Sequence, residues 1–347
     1  MQISNIIIVY FGLYLLLLAT VASGQSAIEK QISDLVKESE FSGAILHYKD
    51  DYIAFDKAYG LADLENQIQN STNHKYNLGS INKLFTKIAV AQLIQQGNLS
   101  LEDIAVKYVP ELRKGGMEKI TIAQLLAMSS GLGDYLDNPT FTDQKEKYLK
   151  IEDYLPLISA SELFFDPGTR KKYSNLGYEL LGIIVGRISQ MDYYTYIQTH
   201  IFDIVQMNNS GYFTQYDNTT NMSVGYIKTG DTYQSNWLEK SYKGTAAGGG
   251  YSTTHDMLNL ALALFDNQLL NNTYTNLLFK NFKSDSERDS YIRIAGGGPG
   301  INATFYLNRQ EKEVVVVFAN QDPPAAFLIN DIFKPALGGV KKPKLIR

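Results

Sequence analysis

The chain has 347 residues, of which 44% are hydrophobic and 20% are charged, and its formal net charge is -4. A chain of this length can bury a large core, and its mildly acidic balance contains no positive stripe of the kind that binds nucleic acid. The short basic end, residues 341–347, is interpreted as a solvated tail. The sequence has no cysteine, which excludes a cysteine nucleophile and a thiolate metal site. These properties predict an ordinary globular protein without a nucleic-acid partner.

The first 24 residues contain an apolar run from Ile6 to about Ala19 that ends in small residues. This pattern is typical of a secretory signal peptide, with a cleavage site at Ala22-Ser23-Gly24. No Lys or Arg precedes the run, and its length approaches that of a membrane span, so an uncleaved N-terminal anchor is the alternative. In both cases the body of the chain is predicted to lie outside the cytosol. It would contact a membrane only if the segment stays uncleaved.

Sequons of the form Asn-x-Ser/Thr agree with a secreted glycoprotein, although they also arise by chance in Asn-rich sequences. The candidate glycosylation sites are Asn70, Asn98, Asn208, Asn218, Asn221, Asn271 and Asn302.

The predicted elements run from strands through helices and back to strands. Apolar residues in 26–40 are spaced for an amphipathic helix, and residues 41–60 are typical of two strands around a polar turn. Helical patterns dominate from Ser80 to about Phe202, and another helix begins after Ser252-Thr253-Thr254. Residues 290–321 form β-prone runs, and 323–337 predict a closing helix.

Strands at both ends with helices between them predict an α/β (α+β) fold in one domain, residues 25–340. The two ends would form one antiparallel sheet flanked by helices, with an inserted helical lobe. A cleft between the sheet and the lobe is the natural place for a site.

The head of one predicted helix, within YNLGSINKLFTKIAVAQLIQQG (residues 76–97), carries Ser80 and Lys83 one turn apart. In one interpretation Ser80 caps the helix and Lys83 is a solvated surface residue. In the other, Ser80 is a nucleophile and Lys83 helps to remove its proton. This stretch alone favours the first interpretation.

A nucleophilic serine needs a base, and the sequence has four histidines, none of which accompanies a G-x-S-x-G elbow or an H-x-x-x-H zinc spacing. The base is therefore predicted to be a lysine or a tyrosine. Tyr173 and Asn175 follow a Pro-Gly turn and precede an apolar helix. A phenol of ordinary pKa, about 10, is a poor base unless cations lower that pKa. Lys83 would supply the charge, and Asn175 would position the lysine and the substrate by hydrogen bonds.

These motifs resemble those of a known family. The S-x-x-K of GSINK and the Y-x-N of KYSNLGYELLG, in this order, look like the serine β-lactamase and penicillin-binding-protein superfamily. The most similar branch contains class C β-lactamases, D-alanyl-D-alanine carboxypeptidases and related esterases. The resemblance extends over most of the body, through ITIAQLLAMSSGLGDY, PGTRKKYSNLGYELLG, AAGGGYSTTHDM and GGGPGINATFYLNRQEKEVVVVFANQD.

The resemblance implies that Ser80 attacks a carbonyl and forms an acyl-enzyme that water hydrolyses. Lys83 and Tyr173 would share the proton transfers, and either of them could be the base. The oxyanion would be bound by two backbone N–H groups, that of Ser80 and, from the alignment of Pro299-Gly300, that of Gly297. No metal or organic cofactor is implied.

The same alignment shows one departure. The family's third motif begins with Lys or His, and here Ile294 takes that position. Arg293 is adjacent, but neighbouring strand residues point to opposite faces, so it is not expected to replace the missing cation. This counts against penicillin-like substrates, whose carboxylate would lose a partner.

The sequence thus predicts an exported serine hydrolase acting on a small ester, amide or peptide, esterase- or D-peptidase-like rather than a true β-lactamase. The alternative is an inactive relative that serves as a binding or scaffolding protein. Loops around Tyr135 and between Tyr212 and Lys243, which include Trp237, are expected to set the substrate, although packing explains these aromatic residues equally well.

Overall fold

The computed structural model describes residues 28–38, 40–113, 115–214, 216–217, 219–238, 241–280 and 291–333. The predicted signal peptide or anchor, the basic tail and the sequon at Asn218 lie outside these residues. Within the described ranges, no helix is long and apolar enough to cross a membrane.

The two ends of the chain build one five-stranded antiparallel sheet in the order β2-β1-β11-β10-β9. The first two strands flank the polar turn predicted near residue 50, and the other three come from the C-terminal third of the chain. The predicted sheet is therefore confirmed. Its strands are β1 (Gly43–Lys49), β2 (Tyr52–Tyr59), β9 (Tyr291–Gly298), β10 (Ile301–Asn308) and β11 (Glu313–Ala319).

Both faces of the sheet are covered, because alternate residues of each strand point to opposite sides. On β11, Val314 and Val316 belong to the large core shared with the helical lobe. Val315 and Val317 belong to a second cluster, formed with helices α1 (residues 28–37) and α10 (Ala325–Phe333). The near-continuous valine run of β11 follows from burial on both faces.

The middle of the chain forms the predicted helical lobe. Its longest helices are apolar on most of their surface because they pack inside the large core. The helices between β1–β2 and the last three strands are α2 (Lys83–Gln95), α3 (Ile122–Leu126), α4 (Pro139–Asp143), α5 (Leu155–Ala160), α6 (Asn175–Ser189), α7 (Tyr193–Ile197), α8 (Thr254–Phe265) and α9 (Asn272–Phe279).

Short strand pairs connect the lobe to the sheet. They are β3 (Leu61–Asp63) with β4 (Ile68–Gln69), β5 (Tyr76–Asn77) with β8 (Tyr251–Ser252), and β6 (Tyr226–Thr229) with β7 (Thr232–Ser235). The pair β5–β8 matters for the site, because it brings the residues before Ser80 alongside the glycine-rich segment 244–250.

Two of the candidate glycosylation sites are wrong for the folded protein. Asn302 is fully buried and its Oδ1 accepts a hydrogen bond from the Ala326 backbone N–H at 2.8 Å. Asn70 is also buried, and its Nδ2 donates to the Tyr59 carbonyl at 2.9 Å. A glycan on either side chain would disrupt these contacts. The sequons at Asn98, Asn208, Asn221 and Asn271 are exposed.

Candidate active site

Ser80 lies in a 3-10 turn, Gly79–Asn82, that runs directly into α2. No side-chain hydrogen bond caps this helix, so the interpretation of Ser80 as a capping residue is wrong. Its hydroxyl instead turns towards α6, where it is hydrogen-bonded to the Tyr173 hydroxyl. The serine therefore stands at the start of a helix with its oxygen available to other side chains.

Glycine is required on both sides of this turn. Gly79 has a φ of +49°, in the left-handed region, and a Cβ there would lie 2.8 Å from the backbone N of Gly297. A Cβ on Gly296 would lie 2.0 Å from the Leu78 carbonyl oxygen and 3.0 Å from the Ser80 backbone N. The backbone of β9 therefore passes directly against the turn that carries Ser80.

Lys83 is almost fully buried, and its ammonium lies at the centre of the polar cluster. It donates to the Tyr173 hydroxyl at 2.7 Å, to Asn175 Oδ1 at 2.7 Å and to the Ala247 carbonyl at 2.5 Å. Ser80 Oγ lies 3.2 Å from Lys83 Nζ. A solvated surface lysine is excluded by this burial.

The turn before α6 delivers two of these partners. Ser174 is the N-cap of α6, and its hydroxyl accepts from the Gly177 N–H at 2.9 Å. Tyr173 and Asn175 flank this cap, so their side chains project towards α2. The structure thus brings Ser80, Lys83, Tyr173 and Asn175 together.

The orientation of the Asn175 amide follows from a residue that sequence reasoning missed. Asn175 Nδ2 donates to an Asp134 carboxylate oxygen at 2.8 Å. A carboxylate only accepts hydrogen bonds from an amide, so Oδ1 must face Lys83. The signal was present in the sequence, because Asp134 lies in the GLGDY stretch that carries part of the family resemblance.

The segment Thr245–Ala247 forms the floor beneath Lys83, and side chains of α2 and its N-cap residue bind its three carbonyls in turn. Asn82 Nδ2 donates to the Thr245 carbonyl at 2.7 Å, and Thr86 Oγ1 donates to the Ala246 carbonyl at 2.7 Å. Lys83 takes the third carbonyl. The backbone of this segment is therefore fixed to α2 residue by residue.

A second missed residue, Glu179, approaches the same segment from α6. Its two carboxylate oxygens each accept a backbone N–H at 3.3 Å, from Ala246 and from Ala247. Glu179 is fully buried, and this burial raises the pKa of its carboxyl to about 7, while a hydrogen bond from Thr245 and the charge of Lys83 oppose the rise. A lone acid in an otherwise apolar helix, one turn after Asn175, was a signal for it.

The four histidines, all within the described part of the chain, have other partners than Ser80. Their nearest polar contacts are His47–Glu313 at 2.9 Å, His74–Ser71 at 2.7 Å, His200–Thr199 at 2.8 Å and His255–Asp56 at 2.8 Å. Nor do the described residues contain a group of three or more acids and histidines that could hold a metal ion.

The third-motif position is apolar in the structure as in the sequence. Ile294 is partly buried and packs against the large core. Arg293 lies opposite Tyr306 on the neighbouring strand, with its guanidinium 5.7 Å from that ring, and Tyr306 belongs to the cluster on the other face of the sheet. Gly297, further along β9, is exposed.

Two of the tyrosines considered for a substrate pocket, Tyr135 and Tyr212, pack against other aromatic rings. Tyr135 is 4% exposed, with its ring 4.6 Å from that of Phe141 and 5.1 Å from that of Tyr154. Tyr212 packs 4.9 Å from Tyr194. Of these two tyrosines, Tyr135 is a core residue of the lobe rather than the lining of an open pocket.

Comparisons with known proteins identify the family of the chain. The model of the family described as Beta-lactamase matches residues 28–336. Protein flp of Staphylococcus aureus (strain MW2) is 31% identical over 212 residues, which cover 60% of this chain and 42% of flp. The putative penicillin-binding protein PbpX of Bacillus subtilis (strain 168) is 26% identical over 298 residues, covering 84% of this chain and 73% of PbpX. The chain thus spans about two fifths of flp and most of PbpX.

Solved structures show the same fold. The penicillin-binding protein from Bacillus halodurans superposes with a TM-score of 0.80 at 28% identity, covering 89% of this chain and 98% of that protein. Class C β-lactamases also share the fold. With a family match over most of its length, this chain belongs to the β-lactamase family, within the superfamily of serine hydrolases that includes the penicillin-binding proteins.

Proposed function

We propose that this protein is an exported serine hydrolase that forms an acyl-enzyme on Ser80 and cleaves an ester, amide or peptide bond. The observation that carries the proposal is the hydrogen bonding of one hydroxyl: Ser80 Oγ is bonded to the Tyr173 hydroxyl and lies 3.2 Å from Lys83 Nζ. A serine becomes nucleophilic when an adjacent group can take its proton, and here two such groups adjoin it.

The contacts of Lys83 define a direction for proton transfer. Asn175 Oδ1 and the Ala247 carbonyl can only accept, so they hold two of the lysine N–H bonds. The third position on Nζ faces the Tyr173 hydroxyl and Ser80. It carries a proton when the amine is charged and a lone pair when it is neutral. Two routes fit: Lys83 accepts the serine proton, or Tyr173 accepts it with Lys83 as the neighbouring charge.

The reaction would proceed in two halves. Ser80 Oγ attacks the carbonyl carbon while its proton passes to the Tyr173–Lys83 pair. The tetrahedral intermediate then expels the alcohol or amine, which takes that proton, and the acyl group stays on Ser80. A water then attacks the ester, gives one proton to the same pair and releases the acid, and Ser80 recovers its proton.

The oxyanion of each intermediate would be bound by the backbone N–H groups of Ser80 and Gly297. Supporting this assignment, Gly79 and Gly296 allow the two backbones to pass at distances that a Cβ would block. Such donors, held in place before the reaction, are usually the largest single contribution to this kind of catalysis.

The substrate we propose lacks a carboxylate next to the scissile bond. Ile294 offers no positive charge, and Arg293 lies on the other face of β9. The nearby acid, Asp134, is bonded to Asn175 and would repel a substrate carboxylate at close range. An esterase or D-peptidase-like activity fits this arrangement better than β-lactam hydrolysis does.

Export is part of the proposal. It is supported by the apolar run near the N-terminus and by the exposed sequons. Mass spectrometry of the protein secreted from a eukaryotic host would test both features, since it reads the mature N-terminus and any glycan masses.

Labelling with a fluorophosphonate tests the nucleophile. We expect one adduct per molecule by intact mass, mapped to Ser80 and absent from Ser80→Ala and Lys83→Ala. Ser189→Ala is the matched control, because this serine also belongs to a helix but bonds only to the backbone carbonyls of its own helix and the Met191 N–H. It should label as the wild type does.

An unlabelled wild type that is folded, and that also fails to hydrolyse short-chain esters and to be acylated by penicillin, would contradict the enzyme proposal. That result would favour the binding or scaffolding protein, for which the apolar residue at the third motif is the supporting observation.

A further inference from the structure

Glu179 is a buried charge whose partners are mainly backbone groups. It lies on α6 and is 0% exposed. For comparison, the buried Glu313 has two basic side chains within reach, His47 at 2.9 Å and Lys49 at 3.5 Å. Glu179 accepts from two successive amides and from the Thr245 hydroxyl. Among the described residues Glu179 makes no ion pair, although the Lys83 charge acts on it. An ionisable group buried in this way is a candidate for a functional role.

The two amides belong to the segment that holds Lys83. The carbonyls of Thr245, Ala246 and Ala247 are bound by side chains of α2 and its N-cap residue, and the N–H groups of Ala246 and Ala247 are bound by Glu179. Thr245 Oγ1 shares the Ala247 N–H at 3.1 Å. The segment is therefore clamped from both sides, by α2 through its acceptors and by α6 through its donors.

This inference rests on the proposed function. We propose that Glu179 is a positioning residue: its carboxylate holds the Thr245–Ala247 backbone so that the Ala247 carbonyl is kept against the Lys83 ammonium. Because that carbonyl and Asn175 Oδ1 together orient two of the lysine N–H bonds, holding it in place also directs the third position of Nζ towards Tyr173 and Ser80. A misplacement of about 1 Å in such a group can cost about 100-fold in rate.

The carboxylate form is the one that suits this role, because both of its oxygens can accept a backbone N–H, whereas a protonated carboxyl has one O–H that would face a donor. Around Glu179 the groups that respond to its charge, from every element packed against it, are Lys83, Tyr135, Tyr154, Tyr193 and Tyr194. Burial raises the pKa of each of these four tyrosines, so they stay neutral between pH 5 and 9. A titration near neutral pH that disappears in Glu179→Gln therefore belongs to Glu179.

The test is Glu179→Gln in the full-length protein, assayed with a short-chain p-nitrophenyl ester and a fluorophosphonate. The amide is similar in size but places an NH₂ group against one backbone donor. We expect kcat to fall about 10- to 100-fold with KM within about twofold. We also expect a step in the wild-type pH profile near 7 that is missing from the variant. Glu313→Gln is the matched control, because Glu313 is also a buried carboxylate but lies on β11 of the sheet. This variant should keep the wild-type kcat and the step in the pH profile.

Two results would overturn the inference. One is a Glu179→Gln enzyme with unchanged kcat. The other is a loss of kcat that equals the loss of folded, labelled protein and leaves the pH step in place, because a purely structural role would do this.

A measurement without turnover separates this inference from the proposed function. In the wild type the amide resonances of Ala246 and Ala247 should shift with pH around 7, and in Glu179→Gln they should not. If the wild type neither labels nor hydrolyses but these resonances titrate, the clamp exists and the hydrolase proposal fails. If it labels but the Ala246 and Ala247 amide resonances are the same in the wild type and in Glu179→Gln at every pH, the clamp is refuted while the hydrolase proposal stands.

Discussion

The two walls around Ser80 differ in kind. The helical wall, made by α2, the turn before it and the start of α6, contributes side chains: Lys83 and Tyr173 contact Ser80, and Asn175 holds Lys83. The strand wall is made by the end of β9. Near the serine it contributes backbone groups, at Gly296 and Gly297, and its side chain at position 294 is an isoleucine. In the proposed site the helical wall is therefore polar, whereas the strand wall has an apolar side chain at position 294.

The difference shows how activation and substrate selection can be separated in one site. In the proposed mechanism, activation of Ser80 needs only the helical wall, because Tyr173 and Lys83 both lie there. The strand wall would stabilise the oxyanion through backbone groups, whose position depends on close packing rather than on side-chain identity. Under this proposal, an apolar residue at 294 would restrict which substrates fit and would leave the Tyr173–Lys83 pair intact.

Ser80→Ala should give the largest effect, because it removes the oxygen that would form the covalent bond to the substrate. We expect kcat to fall by about 10⁴- to 10⁶-fold with the melting temperature nearly unchanged, since the side chain is partly exposed and makes no cap. Steady-state hydrolysis measures kcat, and differential scanning calorimetry measures the melting temperature. Activity that survives this change would show that the walls surround a different nucleophile.

Lys83→Ala and Tyr173→Phe should each slow acylation by about 10²- to 10⁴-fold, the usual contribution of proton transfer. Lys83→Ala should also destabilise the protein, because it leaves the Ala247 carbonyl and Asn175 Oδ1 without their donor. Tyr173→Phe removes one hydroxyl and should preserve stability better. Rapid-quench measurement of the acylation rate, with urea unfolding alongside, checks both. If both variants were acylated as fast as the wild type, the proposed proton transfer through Lys83 and Tyr173 would be refuted.

The sequence was enough to predict the sheet, the lobe and the helical wall, because each depends on local patterns. Alternating or continuous apolar runs mark the strands of a buried sheet, and S-x-x-K and Y-x-N lie at the ends of helices that a pattern can recognise. The helical pattern of TIAQLLAMSSG predicts a longer helix than the structure has, Ile122–Leu126, because Met128 takes a positive φ of 55° and breaks the helix there.

The contacts that orient the site could not be predicted in the same way. Asp134 contacts a residue 41 positions away in the chain, and Glu179 contacts residues 67 and 68 positions away. A local sequence pattern cannot predict contacts between residues so far apart. The burial of Asn302 likewise follows from sheet pairing and the packing of α10, not from its sequon. Tyr135 appeared in a loop in the sequence, but the lobe folds over it.

The helical wall should have a measurable cost in stability at high pH. Burial raises the pKa of Glu179 from about 4.5 to about 7, so the neutral form is favoured in the folded protein. The stability that this shift contributes is present below pH 4.5 and is lost as pH rises through 7. Between pH 5 and 8.5 the wild type should lose about 2–3 kcal/mol of unfolding free energy relative to Glu179→Gln.

Urea unfolding at several pH values measures this difference, and groups that titrate in both proteins cancel. If the difference in unfolding free energy between the two proteins stays constant with pH, Glu179 ionises normally. Its burial would then have no energetic cost that a function must explain. The opposite slope would contradict the sign derived from burial.

The smallest expected effect concerns the strand wall. Ile294→His or Ile294→Lys would restore a cation on the face of β9 that carries the site, and a charge-assisted hydrogen bond contributes about 1.5–3 kcal/mol when well formed. We expect kcat/KM for p-nitrophenyl hydrogen succinate to rise about tenfold relative to p-nitrophenyl butyrate, which is similar in size but uncharged. Ile294→Met controls for size, and Arg293→Gln controls for charge on the opposite face. Because a strand reverses its side-chain direction at each residue, only the changes to a cation at 294 should move the ratio. An unchanged ratio in both cationic variants would mean that position 294 does not reach the substrate, and the apolar residue there would no longer explain which substrates the site accepts.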